Sequence, residues 1–424
     1  MTIRLLSIFG CLLITTSLFS QNFISGKVSD INGSALPSAS VILDNGNGTT
    51  TDLFGNYVIE TEGANTITIS FIGFESQSFE INNISGPLNI NLEPSPFQLS
   101  DVQISADQTE VLKKISAYDI QQRPINSSQD VLRIIPGLFI AQHAGGGKAE
   151  QIFLRGFDID HGTDIALSVD GMPVNMVSHA HGQGYSDLHF VIPETIQKVD
   201  FNKGTYDASK GDFTTAGYAD FYTLESLDKS SVKLDGGQFG TLRTVTMIDL
   251  TGKNQKNSTA YLAGEAFLSS GYFESPQNFS RYNLLGKYNT KLSETTKLNF
   301  AVSTFTSRWD ASGQIPTRAV ENGTITRYGA IDNTEGGNTS RTNINIIQKT
   351  TLSPTDFLSN QVYYTNYNFK LVSNFTFFLN DPVNGDQITQ SENRNIYGYN
   401  GKYIKDWNLG SVKMSSTTGL GFRY

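Results

Sequence analysis

Cysteine is almost missing from this 424-residue chain, and the single one, Cys11, lies inside an apolar leader. That leader, "MTIRLLSIFGCLLITTSLFSQ", has a basic Arg4, an apolar run from Leu5 to Phe19 and a small Ser20 before Gln21. The run is too short to span a bilayer comfortably and fits a secretory signal peptide over residues 1–20. A lipoprotein signal would place its cysteine after the apolar core, whereas Leu12 to Phe19 continue that core. An exported chain with no further cysteine has no disulfide to stabilise it. No other stretch approaches a transmembrane helix, so membrane residence would have to be as a β-barrel. Apolar residues are also scarce, at 38%, while 39 glycines and 11% aromatics favour strands and turns over helices. Positive charge is short too: a net charge of −9 argues against a nucleic-acid partner.

Catalytic motifs are equally sparse. No HExxH zinc motif and no serine nucleophile elbow occurs, and we expect no enzyme activity. Gly145-Gly146-Gly147-Lys148 is not a phosphate loop: its first glycine is misplaced and Ala149 stands where Ser or Thr is needed. It reads as a flexible loop. Histidine is confined to one region, with all five between His143 and His189. "SHAHGQGYSDLH" alone holds His179, His181 and His189.

Residues 21–97 contain short alternating runs, "NFISGKVSD", "SASVILDN", "GNYVIET", "NTITISFIG" and "PLNINLEP", separated by Gly, Asn, Asp and Pro. Such spacing predicts a small β-sandwich. Gly33, Leu36-Pro37, Ala39, Val41, Gly48-Thr49, Thr51-Asp52, Gly55, Tyr57 and Ile72-Gly73-Phe74 resemble the carboxypeptidase-regulatory-like domain, which despite its name is not a peptidase. Residues 98–115 read as a linker carrying a short alternating strand, "LSDVQISAD". Such a strand could be captured by another protein through edge addition, or could dock on its own domain.

Residues 116–228 read as a small α+β domain. "SSQDVLRIIPGLFI" offers serine caps and a helical turn ended by Pro136-Gly137, and the extended runs "EQIFLRGFD", "DIALSVDGMPV", "IQKVDFNKG" and "YADFYTLES" follow. From residue 229 to 424 the pattern becomes two-faced. Tyr261, Ala263 and Glu265 alternate with Leu262, Gly264 and Leu268; Asn283 and Lys287 alternate with Tyr282, Leu284 and Tyr288. Strands of about ten residues with one apolar and one polar face fit a transmembrane barrel, although a soluble sandwich would share the alternation. Short turns ("TGKNQKN", "LSETT", "LSPTD", "KDWNLG") alternate with longer stretches at 310–338 and 380–393, as outer-membrane barrels are built. About nine strands fit, an odd number that cannot close in a bacterial barrel, and a lumen large enough for a plug needs about 22. We therefore expect the N-terminal portion of a longer protein.

Sandwich, exposed strand, α+β domain and barrel start, in that order, resemble a TonB-dependent outer-membrane receptor of the Bacteroidetes type. Asp130-Val131-Leu132 with Ile135-Pro136-Gly137 matches the first helix of its plug domain. Phe153-Leu154-Arg155-Gly156, Val169-Asp170-Gly171-Met172-Pro173, and Ile196, Val199 and Lys203-Gly204 match its later strands and turns. Lys203-Gly204-Thr205 replaces the usual Arg-Gly-Pro, and Tyr218-Ala219-Asp220 the usual Val-Ile-Asn.

The resemblance implies a mainly β fold: an N-terminal β-sandwich, an α+β plug and the first strands of a transmembrane antiparallel β-barrel. It implies TonB-dependent transport across the outer membrane of a Gram-negative bacterium, with plug and sandwich on the periplasmic side. The alternative is a binding or signalling receptor on the same scaffold. Implied partners are TonB with its ExbB-ExbD motor, outer-membrane lipid and a small substrate; no cofactor is required. Asp101, Val102, Gln103, Ile104, Ser105 and Ala106 look like the TonB box.

Substrate or metal contact is expected at His161, His179, His181, His189, Asp158 and Asp160. Neutral imidazoles two apart in an extended segment face one way and suit Zn, Cu, Ni or Fe. The alternative is that they hydrogen-bond within the plug or brace it on the barrel. Arg155, Gly156, Asp170, Gly171, Lys203 and Gly204 are expected to be structural, with Arg155 and Asp170 a charged pair on adjacent strands.

Overall fold

A computed structural model describes residues 23–93 and 114–424, apart from residues 32, 46, 62, 72, 73, 75, 85, 117–119, 121, 122, 124, 126, 143–145, 160, 161, 183, 253–256, 384 and 411. The chain forms two compact units, residues 1–108 and 109–424.

In the first unit, β1 (Phe23–Asp30), β4 (Asn56–Glu60) and β7 (Ile90–Leu92) form one sheet in the order β4-β1-β7. The second sheet has the order β3-β2-β5-β6, from β2 (Ser40–Leu43), β3 (Gly48–Thr50), β5 (Thr66–Ser70) and β6 (Gln77–Glu80). Alternate residues of both sheets (Val28, Val41, Ile67, Ile69 and Leu92) fill one core, so the expected sandwich forms. The Thr51 hydroxyl is buried there without loss, donating to the Leu36 carbonyl at 2.5 Å and accepting from the Ala39 N–H at 2.9 Å.

The second unit holds a central domain and a wall. The central domain comprises β8 (Lys114–Ser116), helix α1 (Ser128–Leu132), β9 (Leu138–Ala141), β10 (Gln151–Leu154), β11 (Phe157–Ile159), β12 (Ile165–Val169), β13 (Met172–Pro173), β14 (Ile196–Lys203) and β15 (Gly217–Thr223). These strands make two sheets, β11-β10-β9 and β13-β12-β15-β14-β8, over a shared core that includes Val131, Leu132, Ile152, Leu167, Val199 and Phe221. Because β8 pairs with β14, the folded domain includes Lys114, inside the stretch read as linker. A capping box between Ser127 and Asp130 opens α1, but the helix ends at Leu132, before the Pro136-Gly137 stop signal. Ile135 instead donates to the Leu132 carbonyl in a turn and enters the core.

The wall is one nine-stranded antiparallel meander of β16 (Ser231–Gly236), β17 (Leu242–Asp249), β18 (Ser258–Ser269), β19 (Phe279–Lys291), β20 (Thr296–Asp310), β21 (Gly336–Ser353), β22 (Asp356–Asn374), β23 (Gln387–Leu409) and β24 (Val412–Arg423). A short helix, α2 (Thr317–Glu321), lies in the loop between β20 and β21. Strand lengths exceed expectation, reaching 23 residues in β23, because pairing continues beyond the roughly ten residues that cross lipid. The alternation read from sequence sets which side chains face the central domain. Tyr261, Ala263, Glu265, Asn283 and Lys287 are buried, while Leu262, Tyr282, Leu284 and Tyr288 are exposed on the outer face.

Candidate functional site

Two hairpins of the central domain turn on two residues each. Leu154 pairs with Phe157 and Val169 with Met172, so Arg155-Gly156 and Asp170-Gly171 are the turn residues. All four have positive φ (54°, 82°, 46° and 78°), as the type I′ turn requires. The turns belong to different sheets, so Arg155 and Asp170 are not the charged pair expected from sequence. Arg155 is exposed, with its guanidinium near Gly204, while the ionic partner of Asp170 is Lys287 of the wall, at 3.3 Å. Asp170 also accepts from the Thr223 N–H (2.9 Å) and hydroxyl (2.5 Å). Its carbonyl takes hydrogen bonds from Asn345 (3.0 Å) and Gln361 (2.8 Å). A Cβ on Gly171 would lie 2.6 Å from Gln361 Oε1. Lys203 ends β14, and Gly204 (φ 82°) donates to the Ala216 carbonyl at 2.7 Å.

The "SHAHG" stretch is a tight turn rather than an extended segment, closed by reciprocal backbone hydrogen bonds between His179 and Gly182 (3.2 and 3.1 Å). His179 stacks on Tyr185 at 4.0 Å between centroids and meets the edge of Phe369 at 4.6 Å. Its Nδ1 accepts the His181 N–H at 3.1 Å, which puts the proton on Nε2, 3.1 Å from the Tyr367 hydroxyl. Burial, with His181 and Arg394 adding to it, holds its pKa down to about 3, so the ring is neutral. His181 places Nδ1 3.0 Å from Gln390 Oε1, and the Ala180 N–H donates to Glu392 at 2.7 Å. Gln390 and Glu392 lie near the start of β23, beside the loop 375–386, so the histidine turn sits level with the long-loop end of the wall.

His189 lies apart from that turn. It is buried, with Nδ1 3.0 Å from Asp187 and Nε2 3.5 Å from Glu150. Burial alone would lower its pKa, but the two carboxylates outweigh it and lift it to about 10. This imidazole is therefore a cation bound to its own domain. Asp158 accepts from Gln151 at 2.7 Å across the β10–β11 hairpin. Asp160, His161 and the segment Asp101–Ala106 lie outside the described residues. Among the described residues, no group of three or more His, Cys, Asp or Glu side chains is placed to hold a metal.

The glycine loop is not slack at its end. Gly147 is buried against the wall, where a Cβ would stand 2.0 Å from Trp309 Cε3. The strongest attachment to the wall is ionic. Glu194, in the turn before β14, receives both terminal nitrogens of Arg243, at 2.6 and 2.7 Å. Arg243 Nε continues to Glu265 (2.7 Å), which also accepts from Arg281 Nε (2.9 Å) and Asn283 (2.7 Å). Asn283 in turn donates to the His189 carbonyl at 2.9 Å. Buried charges cost several kcal/mol each unless paired in good geometry, and here two guanidinium groups face two carboxylates. This network ties the central domain to the wall.

A family model described as the TonB-dependent receptor plug domain matches residues 104–218, the domain seated against this wall. The chain carries a TonB-dependent receptor plug domain and shares the fold of solved TonB-dependent receptors. A CarboxypepD_reg-like domain matches residues 24–104, the domain order of the Bacteroidetes type. Solved receptors share the fold. The ferric citrate transporter FecA in its unliganded form is 14% identical, with a TM-score of 0.61, over 75% of this chain and 48% of that one. The siderophore receptor PirA from Acinetobacter baumannii is 13% identical, with a TM-score of 0.57, over 76% and 49%. The copper transporter OprC is 15% identical, with a TM-score of 0.54, over 73% and 45%. The chain thus spans about half the length of these relatives, and its wall has the fold of part of their β-barrel.

Glu194, Arg243 and Arg281 were not singled out from the receptor's sequence. Alternation did put Glu265 and Lys287 on the polar face, and a charge there is the signal that would have found the network. Its partner on the plug, Glu194, has no such signature, because it sits in a turn.

Proposed function

We propose that this receptor is an active importer, in which the plug gates the barrel and TonB supplies the work. The supporting observation is the seat itself: a plug held inside the wall by the Glu194–Arg243–Glu265–Arg281 network. Such contacts are strong enough to stay closed at rest and need mechanical work to release. The outer membrane has no ATP supply, so TonB with its ExbB-ExbD motor would pull from the periplasm. It would do so by adding a strand to Asp101–Ala106 through main-chain hydrogen bonds. Plug and sandwich then lie on the periplasmic side, and the histidine turn, level with the long loops, meets the arriving substrate. That substrate is a scarce nutrient, such as a metal chelate or metal ion, as in the ferric citrate, siderophore and copper transporters that share the fold. His181 is the histidine best placed for contact, being half-buried, whereas His179 is buried. The described residues of the first unit form two β-sheets, which favours transport over signalling, where an α/β domain often precedes the plug.

Deleting Asp101–Ala106 tests the reading. Energised uptake should be lost while surface binding persists; uptake that continues unchanged would sink it.

A further inference from the structure

Among the described residues four ion pairs cross from plug to wall, and the cation stands on the wall in every one. Lys233 and Arg243 meet Glu194, Lys287 meets Asp170, and Arg423 meets Asp212. A seam assembled without regard to sign would mix them. Wall carboxylates near the seam are matched within the wall itself. Glu265 lies between Arg243 and Arg281, Glu392 against Arg394, and Asp235 against Lys233.

Of the buried wall cations Arg243, Arg281, Lys287 and Arg341, the last is without an ion-paired carboxylate among the described residues. Arg341 is 3% exposed, donates to Asn343 (2.9 Å) and to the Pro173 carbonyl of the plug (3.1 Å), and covers the Phe190 ring at 4.4 Å. When the plug shifts, its carboxylates leave with it. Lys287, Arg341 and Arg423 would then have no ion-paired carboxylate among the described residues, and Arg243 would share Glu265 with Arg281.

We infer that the inner face of these nine strands is a basic guide for an anionic substrate, one bearing carboxylate- or phosphate-type oxygens, whose place the plug carboxylates hold in the closed state. The two-pronged grip of Arg243 on Glu194 is the geometry that a substrate carboxylate would reproduce. Rings of Arg and Lys select anions in pores, and a low-dielectric wall focuses their field. The inference rests on the importer reading and deepens it by naming the charge of the cargo.

The test uses the whole receptor in planar lipid bilayers, with urea added on one side to release the plug and a potassium chloride gradient across the membrane. The sign of the reversal potential should show chloride more permeant than potassium. That preference should be lost in the Arg341→Gln/Lys287→Gln double variant and kept in Arg341→Lys/Lys287→Arg, which preserves charge. Potassium preference, a preference indifferent to the Gln pair, or membranes that stay silent would each overturn it. Energised uptake in cells separates the two proposals. Chloride preference in a receptor whose uptake ignores loss of Asp101–Ala106 leaves the basic guide standing and removes active import. Potassium preference with TonB-dependent uptake removes only the guide.

Discussion

Glu194 is the single plug side chain that grips Arg243 of the wall with both of its oxygens. Replacing it with Gln keeps the shape but leaves Arg243, 1% exposed, to share the buried carboxylate of Glu265 with Arg281. Breaking a buried pair in this way costs about 3 kcal/mol, on the order of a hundredfold in the unseated population. Cells carrying Glu194→Gln should become sensitive to a large hydrophilic antibiotic that the intact outer membrane excludes; unchanged sensitivity would mean that the seat is not ionic. The histidines set an opposite pair of pH dependences. His179 stays neutral in the folded plug down to about 3, so below its ordinary 6.5 the unfolded chain binds a proton that the folded one declines. Stability therefore falls as pH drops below 6.5. His189 keeps its proton up to about 10, so its contribution is complete below 6.5 and is lost as pH rises through 10. Thermal melts of the receptor should peak near pH 6.5, with His179→Phe flattening the acid limb alone. A profile that rises steadily with pH would contradict the charge assigned to His189.

At the scale of elements, legibility followed how local each signal was. The faces of β18 and β19 could be read because alternation is fixed by the pleat, and Tyr261, Glu265 and Lys287 turned inward as their spacing required. The Asp170-Gly171 turn was legible because it supplies the positive φ that a two-residue hairpin needs, whereas Arg155-Gly156 was read inside the extended run "EQIFLRGFD" and is a turn as well. The histidine turn was misread as extended because its shape comes from the Met176–Tyr185 bridge and from wall residues almost two hundred positions away, such as Tyr367. The packing of Gly147 was not legible for a related reason, since nothing nearby in sequence announces Trp309. Gly147→Ala forces a methyl into that indole and should cost about 2 kcal/mol of plug seating, as overpacking does. Hydrogen exchange of β9 and β10 in the whole receptor would register it as faster opening. Protection equal to wild type would show that the indole can move aside.

For the whole molecule, the order of sandwich, plug and wall was legible because each module carries its own period and turn chemistry. What the sequence could not show is how plug and wall divide their charges, since that appears only when residues such as Asp170 and Lys287 are brought face to face. The long outer loops and the wall face were readable as composition, yet the substrate was not, because recognition depends on which side chains from separate loops converge.

The indole that rests on Gly147 also makes the receptor self-reporting. The sequence has two tryptophans: Trp309 is sealed at 1% exposure between wall and plug, while Trp407 is 38% exposed on β23, its N–H donating to Ser416. With Trp407→Phe in place, Trp309 would be the emitter contributed by this part of the chain. Unseating the plug would admit water to it and shift its fluorescence to the red. The gate thus carries its own lamp, and its opening can be followed without a label.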